Sequence, residues 1–434
     1  MNVTVIGVGH VGLVTAATLA DYGHSVIGID DDLTKIETLA AGGMPFYEPG
    51  LEDLVAKNVA AGRLRFTEDY AEAMAGAEVA FICVGTPPGP DGEANMVAVD
   101  KAATAAIKHA GGDLLLAQKS TVPVRTGDRL SRLAQASPYR ILLASNPEFL
   151  REGLAVEDSI RPGRILVGAD DEDAHRIMRE IYRPFFEQGA RYFATDLATA
   201  ELAKHACNAF LAAKISFANA LAAIAEAAGA DVVKIADVMG ADGRIGRAFL
   251  DAGPGYGGSC FPKDVAAFRA IAAKLGYEFG LLDEVMKINR GALDAAFSKI
   301  EDALWTLQDK KVLVAGLAFK EGTDDVRESP GLALALRLRE RGASVVGHDP
   351  HAAAQVAAEA PGLQMHEDLY AAAEGAECLV VCFGDPRYTS LDLVRLKGVM
   401  DRPLIVDLRN ILDPEAVANA GFSYIPTGRP SLNI

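Results

Sequence analysis

A single thiol lies in the stretch Gly253 to Asp264, GPGYGGSCFPKD, among four glycines and two prolines. It falls between a helical stretch and the helix-compatible run DVAAFRAIAAKLGY. This composition puts Cys260 on a tight backbone turn and not inside a packed element. Gly257 and Gly258 allow positive φ and close approach of a ligand to the main chain. A helix starting near Pro262 to Asp264 aims its first N–H groups at the sulfur, an environment that lowers a thiol pKa. The pattern suits a nucleophilic cysteine; the plainer alternative is a glycine-rich loop with an incidental buried thiol.

A second chemical pair sits in the Ala-rich segment TAELAKHACNAFLAAKISFANALAAIAEAAG. Lys204 and Asn208 are four residues apart and share one helix face, with Glu201 as a neighbour. A Lys and an Asn pointing together from an otherwise apolar helix are more than a solvated stripe would suggest. Helices of this length and composition also pair with a copy of themselves, so the segment is expected to bridge domains and to support a homodimer.

Residues 2 to 30, NVTVIGVGHVGLVTAATLADYGHSVIGID, place Gly7, Gly9 and Gly12 between a strand and a helix, followed by a second strand closed by Asp30. This is the context a dinucleotide fingerprint requires. Gly7 is expected to make the tight turn, Gly9 to admit a pyrophosphate, and Gly12 to let helix and strand pack closely, with the helix N-terminus as the anion site. Asp30 falls where a carboxylate accepts from the ribose 2′-OH. Asp31 and Asp32 make a 2′-phosphate electrostatically unwelcome, so NAD is favoured over NADP. Further strands at Glu78 to Val84, Asp113 to Gln118 and Arg140 to Ala144 end in the polar turns Gly85 to Pro88, Lys119 to Pro123 and Asn146 to Gly153. Ligands of a doubly wound sheet bind beyond the carboxyl ends of its strands. That places Thr86, Thr121, Glu148 and Glu152 on the functional edge; for either threonine, helix capping is the alternative.

Near Lys310 the pattern begins again. YGHSVIGIDD (Tyr22 to Asp31) recurs as RGASVVGHDP (Arg341 to Pro350), and AGAEVAFICVGTP (Ala75 to Pro87) as EGAECLVVCFGDP (Glu374 to Pro386). In this second half the fingerprint is replaced by Gly316-Leu-Ala-Phe-Lys320, and Arg327 follows in a polar segment. The change suits a different phosphate-bearing ligand. The architecture expected is α/β: two Rossmann-like doubly wound domains joined by a long central helix and a helical middle domain, with boundaries at 1–195, 196–300 and 301–434.

With 42 basic against 59 acidic residues and a net charge of −17, nucleic acid and anionic membranes are poor partners. An anionic small molecule needs a local cation cluster, for which Lys204, Arg244, Lys263, Lys320 and Arg327 are candidates. Five irregularly spaced cysteines point to reduced thiols and a cytoplasmic, soluble protein, not to a disulfide framework or zinc site. Cys83, Cys378 and Cys382 read as small buried hydrophobes.

The Gly7 to Gly12 fingerprint with Asp30, the Gly-Thr-Pro and Ser-Thr-Val-Pro turns, NPEFLREG, AELAKHACNAF, GPGYGGSCFPKD and GLAFKEGTDDVRESP occur in one order and spacing. Together they resemble the UDP-glucose/GDP-mannose dehydrogenase family over essentially the whole chain. The thiol loop is most similar to that of members acting on UDP-glucose. GDP-mannose members tend to carry FAFGGSCLPKD, and UDP-N-acetylmannosamine members usually have His-Cys in place of Ser-Cys. Asp251 and Pro254 depart from the family pattern.

The resemblance implies oxidation of a sugar-nucleotide primary alcohol, UDP-glucose to UDP-glucuronate, with two NAD+ and a Cys260 thiohemiacetal and thioester. Lys204 and Asn208 would stabilise the oxyanion, and Asp264, Glu148 and Thr121 would handle water and protons. NAD is then expected at the Gly7 to Gly12 turn, Val11 included, and at Asp30, Lys35, Thr86, Thr121, Glu152, Lys263 and Arg327. The UDP-sugar is expected at Glu148, Phe149, Leu150, Arg151, Glu152, Lys204, Asn208, Phe249, Leu250, Asp251, Ala252, Gly253, Tyr256, Gly257 and Lys320, with Arg409 as a further nucleotide contact. Arg244 matches an arginine that reaches into the partner subunit's site. The alternatives are a GDP-mannose or UDP-N-acetylhexosamine dehydrogenase, or a nucleotide-binding regulatory protein without activity.

Overall fold

The computed structural model describes residues 1–89 and 92–433. Its first sheet consists of β1 (Asn2–Ile6), β2 (Ser25–Ile29), β3 (Leu64–Thr67), β4 (Val79–Ile82), β5 (Leu114–Gln118), β6 (Ile141–Ser145), β7 (Arg164–Gly168) and β8 (Arg191–Thr195). The strands lie in the order β3-β2-β1-β4-β5-β6-β7-β8. Neighbours are parallel except β6 and β7, which meet antiparallel at Ser145 and Gly168. The second sheet consists of β9 (Lys311–Ala315), β10 (Ser344–His348), β11 (Gln364–Met365), β12 (Cys378–Val381), β13 (Leu404–Asp407) and β14 (Ser423–Pro426). It is parallel throughout, in the order β11-β10-β9-β12-β13-β14.

Over six strands the two sheets share one parallel order, which the first extends by β7 and β8. β2 and β10 carry the first repeated phrase and β4 and β12 the second, so the sequence echo becomes a structural one. The central strands VAFI and CLVV are buried along their whole length. Helices covering both faces of a parallel sheet demand such unbroken apolar runs. In those strands the Cys378 thiol is pushed up to about 12 by burial, as are those of Cys83 and Cys382 at the adjoining strand ends. β3, β7 and β8 carry no strong alternation in the sequence: β3 has four residues, and β8 is a largely exposed edge strand.

The fingerprint geometry is explicit. Gly7 adopts φ +92°, and its N–H donates to the Ile29 carbonyl at 2.7 Å. A Cβ at Gly12 would lie 1.7 Å from the Gly7 carbonyl oxygen, so helix His10–Asp21 packs on this turn only with glycine there. The second half keeps the same pair. Gly316 has φ +99°, and a Cβ at Gly331 would lie 2.1 Å from the Gly316 oxygen. The second half has therefore lengthened the loop between these two glycines, not lost both of them.

Helix Leu197–Ala228 spans 32 residues and follows β8 directly. Among the described residues it is the helix long and apolar enough to cross a membrane by length and composition, and 39% of its most apolar window is buried. Helices Val232–Gly240, Phe261–Lys274 and Gly280–Leu304 follow. The chain forms two compact units. One comprises Met1–Cys207 and Ala266–Tyr277, the other Asn208–Val265 and Glu278–Ile434.

Candidate active site

In the first unit, the functional edge is built by the segments after β1, β4, β5 and β6. The Asp30 carboxylate accepts from Val8 N–H at 2.8 Å and Asp32 N–H at 3.0 Å, and Lys35 Nζ lies 3.5 Å from it. Asp32 caps helix Leu33–Ala40. Asp31 pairs with Lys101, and that hydrogen bond holds its carboxyl below the usual range. Gly9 precedes helix His10–Asp21, whose N-terminus has no side-chain cap, and a Cβ at Gly9 would meet nothing within 4 Å. The open, uncapped helix N-terminus fits a pyrophosphate, which would take the place a capping side chain otherwise fills.

Thr86 Oγ1 donates to the Thr121 carbonyl at 2.9 Å, so the turns after β4 and β5 are tied together. Neither threonine caps a helix: the helices that follow are headed by Met96 and Arg125. Beyond β6, Glu148 is buried and forms an ion pair with buried Lys204 at 2.9 Å, while its other oxygen accepts from Leu150 N–H at 2.5 Å. Lys204 Nζ also lies 5.3 Å from the centre of the Phe149 ring, whose near neighbour is the Arg164 guanidinium. Burying both charges together is what makes either tolerable. Arg151 turns outward to Asp158, and Glu152 is half-buried.

In the second unit, Cys260 immediately precedes helix Phe261–Lys274, which starts one residue before Pro262, and its carbonyl accepts from Asp264 N–H at 2.8 Å. The thiol therefore stands at the head of the helix, where unpaired N–H groups favour negative charge. Asp264 is 1% exposed, accepts from Asn208 Nδ2 at 2.6 Å and pairs with Lys263 at 2.5 Å. Ser259 Oγ lies 3.6 Å from Cys260 Sγ.

The two glycines of the thiol loop differ in purpose. Gly258 has φ +81°, whereas Gly257 makes room for this chain's own Glu328 carbonyl, which a Cβ would approach to 2.0 Å. Arg327 chelates Asp325, and its carbonyl accepts from Gly258 N–H at 3.1 Å. Lys320 is half-buried over the Phe319 ring. Phe249 and Tyr256 both pack on Phe261, and burial raises the Tyr256 hydroxyl to about 12. Leu250 and Ala252 are buried, Asp251 pairs with Arg247, and Arg409 lies directly against Gly253. Arg244 is exposed over 90% of its side chain and bonds Asp242 in its own turn.

Family models match the chain in three consecutive stretches. They are the NAD binding domain (residues 1–186), the central domain (198–291) and the UDP binding domain (313–414) of the UDP-glucose/GDP-mannose dehydrogenase family. The chain belongs to this family. A UDP-glucose 6-dehydrogenase of Rhizobium meliloti (strain 1021) is 43% identical over 99% of this chain and 100% of that protein. A solved UDP-glucose dehydrogenase from Pyrobaculum islandicum superposes with a TM-score of 0.91 at 38% identity, covering 99% of this chain and 98% of that one. A UDP-D-ManNAc dehydrogenase from Pyrococcus horikoshii has a TM-score of 0.85 at 26% identity, covering 99% of both. As a member of the UDP-glucose/GDP-mannose dehydrogenase family with a matched NAD binding domain, the chain is an NAD-dependent oxidoreductase with a UDP-binding half.

Several residues that shape this dehydrogenase's site escape a reading of the sequence. Asn289, on helix Gly280–Leu304, accepts from Tyr256 N–H at 2.8 Å and donates to its carbonyl at 3.0 Å, clamping the thiol loop. Asn219 accepts from Gly253 N–H at 2.8 Å. Glu48 accepts from Gly153 and Ala155 N–H, each at 2.8 Å, and holds the end of the Asn146 to Gly153 turn. Buried Lys119 bonds Asn146 at 3.2 Å under that same turn. The one signal for these residues in the sequence is a polar side chain on an apolar face, as with Asn219 and Asn289.

Proposed function

We propose that this chain oxidises UDP-glucose to UDP-glucuronate at a single site, through a thiohemiacetal and then a thioester on Cys260. The observation that carries this reading is Cys260 at the head of helix Phe261–Lys274, with Asp264 one turn in and held by Asn208 and Lys263. The relative of 43% identity bearing the UDP-glucose name supports the choice of sugar. When bound, NAD+ accepts a hydride from the C6 alcohol and, after its replacement, a second from the thiohemiacetal.

The chain's own residues hold the carbon between those transfers. The Cys260 sulfur adds to the aldehyde carbon and the carbonyl oxygen takes up a proton. Loss of hydride and of that proton leaves a thioester, and water then breaks the C–S bond to give the carboxylate and free the thiol. Lys204 and Asn208, four apart on one helix, supply N–H donors to the developing oxyanion. Glu148, Asp264 and Thr121 handle the water and the protons, with a carboxylate acting directly or through a bound water as general base.

In this reading residues 1–195 serve NAD+, 196–300 carry the thiol loop and dimer helix, and 301–434 bind the UDP moiety. The Gly7 to Gly12 turn, Asp30, Lys35, Thr86, Thr121, Glu152, Lys263 and Arg327 contact the cofactor. The Glu148 to Glu152 turn, the Phe249 to Gly253 segment, Tyr256, the Gly257 backbone on the side away from the Glu328 carbonyl, Lys320 and Arg409 contact the nucleotide sugar. The chain works as a homodimer in which exposed Arg244 completes the partner's site. Five free thiols suit a cytoplasmic enzyme.

The test is NADH production with UDP-glucose, GDP-mannose and UDP-N-acetylmannosamine. Two NADH per UDP-glucose are expected, and no turnover of that sugar overturns the reading. Cys260→Ser is expected to stall before carboxylate release; full acid production by that variant refutes the thioester.

A further inference from the structure

Glu201 has no part in the reaction above, yet it is 4% exposed on the helix that carries Lys204. Its two oxygens each accept one backbone N–H from the segment after β5: Arg125 at 2.6 Å and Gly127 at 2.8 Å. These are orphan donors at the start of helix Thr126–Ala134. That helix is headed by Arg125 in the left-handed region (φ 73°) and has no cap from its own side chains. Glu201 thus supplies, from another helix, the cap that the local sequence lacks.

Two further contacts join the same elements. One turn along, His205 is 1% exposed and its Nε2 lies 2.9 Å from the Val122 carbonyl. At the helix start, Leu197 packs so closely on Gly127 that a Cβ there would come within 2.9 Å of its side chain. The gripped stretch, Val122 to Gly127, follows directly on Thr121, whose carbonyl is tied to Thr86. The gripping helix carries Lys204, paired with Glu148, between Glu201 and His205.

We propose that Glu201 is a positioning residue that, with His205, locks residues 121–127 onto the Lys204 helix and so sets the cofactor-facing Thr121 against the Lys204–Glu148 pair. The proposal rests on the assignment of Thr121 to the cofactor made above. A carboxylate suits the task because two N–H groups converge on it; a carboxamide offers one acceptor and turns an N–H₂ toward the other donor. Burial pushes the Glu201 carboxyl up to about 7, and Asp128, the charged group facing it from the capped helix, adds to this. On its own helix the titratable neighbours are Lys204 and His205, and the Arg125 guanidinium is exposed. Below that pH one oxygen acquires a proton and opposes an N–H; above it both oxygens accept.

The experiment uses the full chain and Glu201→Gln. Losing one hydrogen bond to a charged group corresponds to a KM for NAD+ about tenfold higher. The KM for UDP-glucose is expected to stay within about twofold. Amide hydrogen exchange across residues 121–127 should quicken. In the wild type the KM for NAD+ should climb as pH falls below about 7, a readout that needs no variant to fold, and the variant should have lost that step. An unchanged KM for NAD+ with a lowered melting temperature overturns the proposal in favour of a purely structural cap, and an equal rise in both KM values overturns it too. Absence of turnover with UDP-glucose in the wild type refutes the assigned reaction instead, and the exchange rates then still decide whether Glu201 locks the segment.

Discussion

Asn289 closes a two-bond ring with the backbone of Tyr256, four residues before the thiol. Its amide oxygen also lies 3.0 Å from where a Cβ at Gly255 would sit, so the side chain packs against the loop backbone at Gly255 as well as at Tyr256. Removing it strands a backbone donor and an acceptor. At about 1 kcal/mol for each hydrogen bond, Asn289→Ala should destabilise the second unit by about 2 kcal/mol. The looser loop should also lower kcat, by about tenfold for a sub-ångström misplacement of the thiol, with the KM for NAD+ unchanged. Denaturant unfolding and steady-state kinetics check both parts. Wild-type kcat in a destabilised variant would mean that the clamp does not position Cys260. Lys204 and Glu148 obey a harsher rule, since each is the other's charge partner in a buried setting and neither can be removed alone without leaving an uncompensated ion.

Among elements, the β1 turn and its helix separate two roles that glycine has in one fingerprint. Gly12 serves the fold, because a Cβ there would overlap the Gly7 carbonyl oxygen at 1.7 Å. The packing does not demand glycine at Gly9, because a Cβ there meets no protein atom within 4 Å, and in the proposed reading that space serves the ligand. Gly9→Ala should therefore leave the melting temperature of the ligand-free protein within the range of ordinary surface changes, about 0.5 kcal/mol. It should weaken NAD+ binding at least about tenfold, since the methyl group occupies the pyrophosphate's approach. Gly12→Ala should unfold or severely destabilise the first unit. Thermal melts beside calorimetric NAD+ titrations distinguish the two, and wild-type NAD+ affinity in Gly9→Ala would remove the pyrophosphate from this turn. Gly316 and Gly331 keep the fold-serving pair in the second half. The intervening loop has been rebuilt around Lys320 and the Asp325–Arg327 chelate.

For the molecule as a whole, the long helix presents Phe210, Phe217 and Ile224 at seven-residue spacing, exposed by 68, 55 and 64%. Three large apolar side chains in one stripe exceed what scattered surface hydrophobes require, which supports the homodimer proposed above. With a net charge of −17, a second copy in the proposed dimer would be drawn to this face by apolar burial, not by charge. Phe217→Glu should convert the dimer to monomer in sedimentation at micromolar concentration. If Arg244 completes the partner's site, turnover should fall with it. A wild-type monomer at that concentration would dispose of the stripe as an interface.

The local content of the chain was legible without coordinates. Apolar runs of strand length, the Ala-rich helical stretch within Leu197–Ala228, two repeated phrases and a glycine-rich thiol turn depend on neighbours within a few residues, and the fold class follows from their order. The partners of the buried polar groups were not legible. Glu201 meets Arg125, Asn289 meets Tyr256, Glu48 meets Gly153 and Asn208 meets Asp264 across long stretches of chain, and such pairs exist only once the elements have packed. Gly257 makes the same point: its lack of a side chain reads as room for a ligand, and the fold fills that room with the Glu328 carbonyl. Residue type announces that a group needs a partner, because an unpaired buried donor or charge is costly. Which partner it finds is decided by tertiary packing.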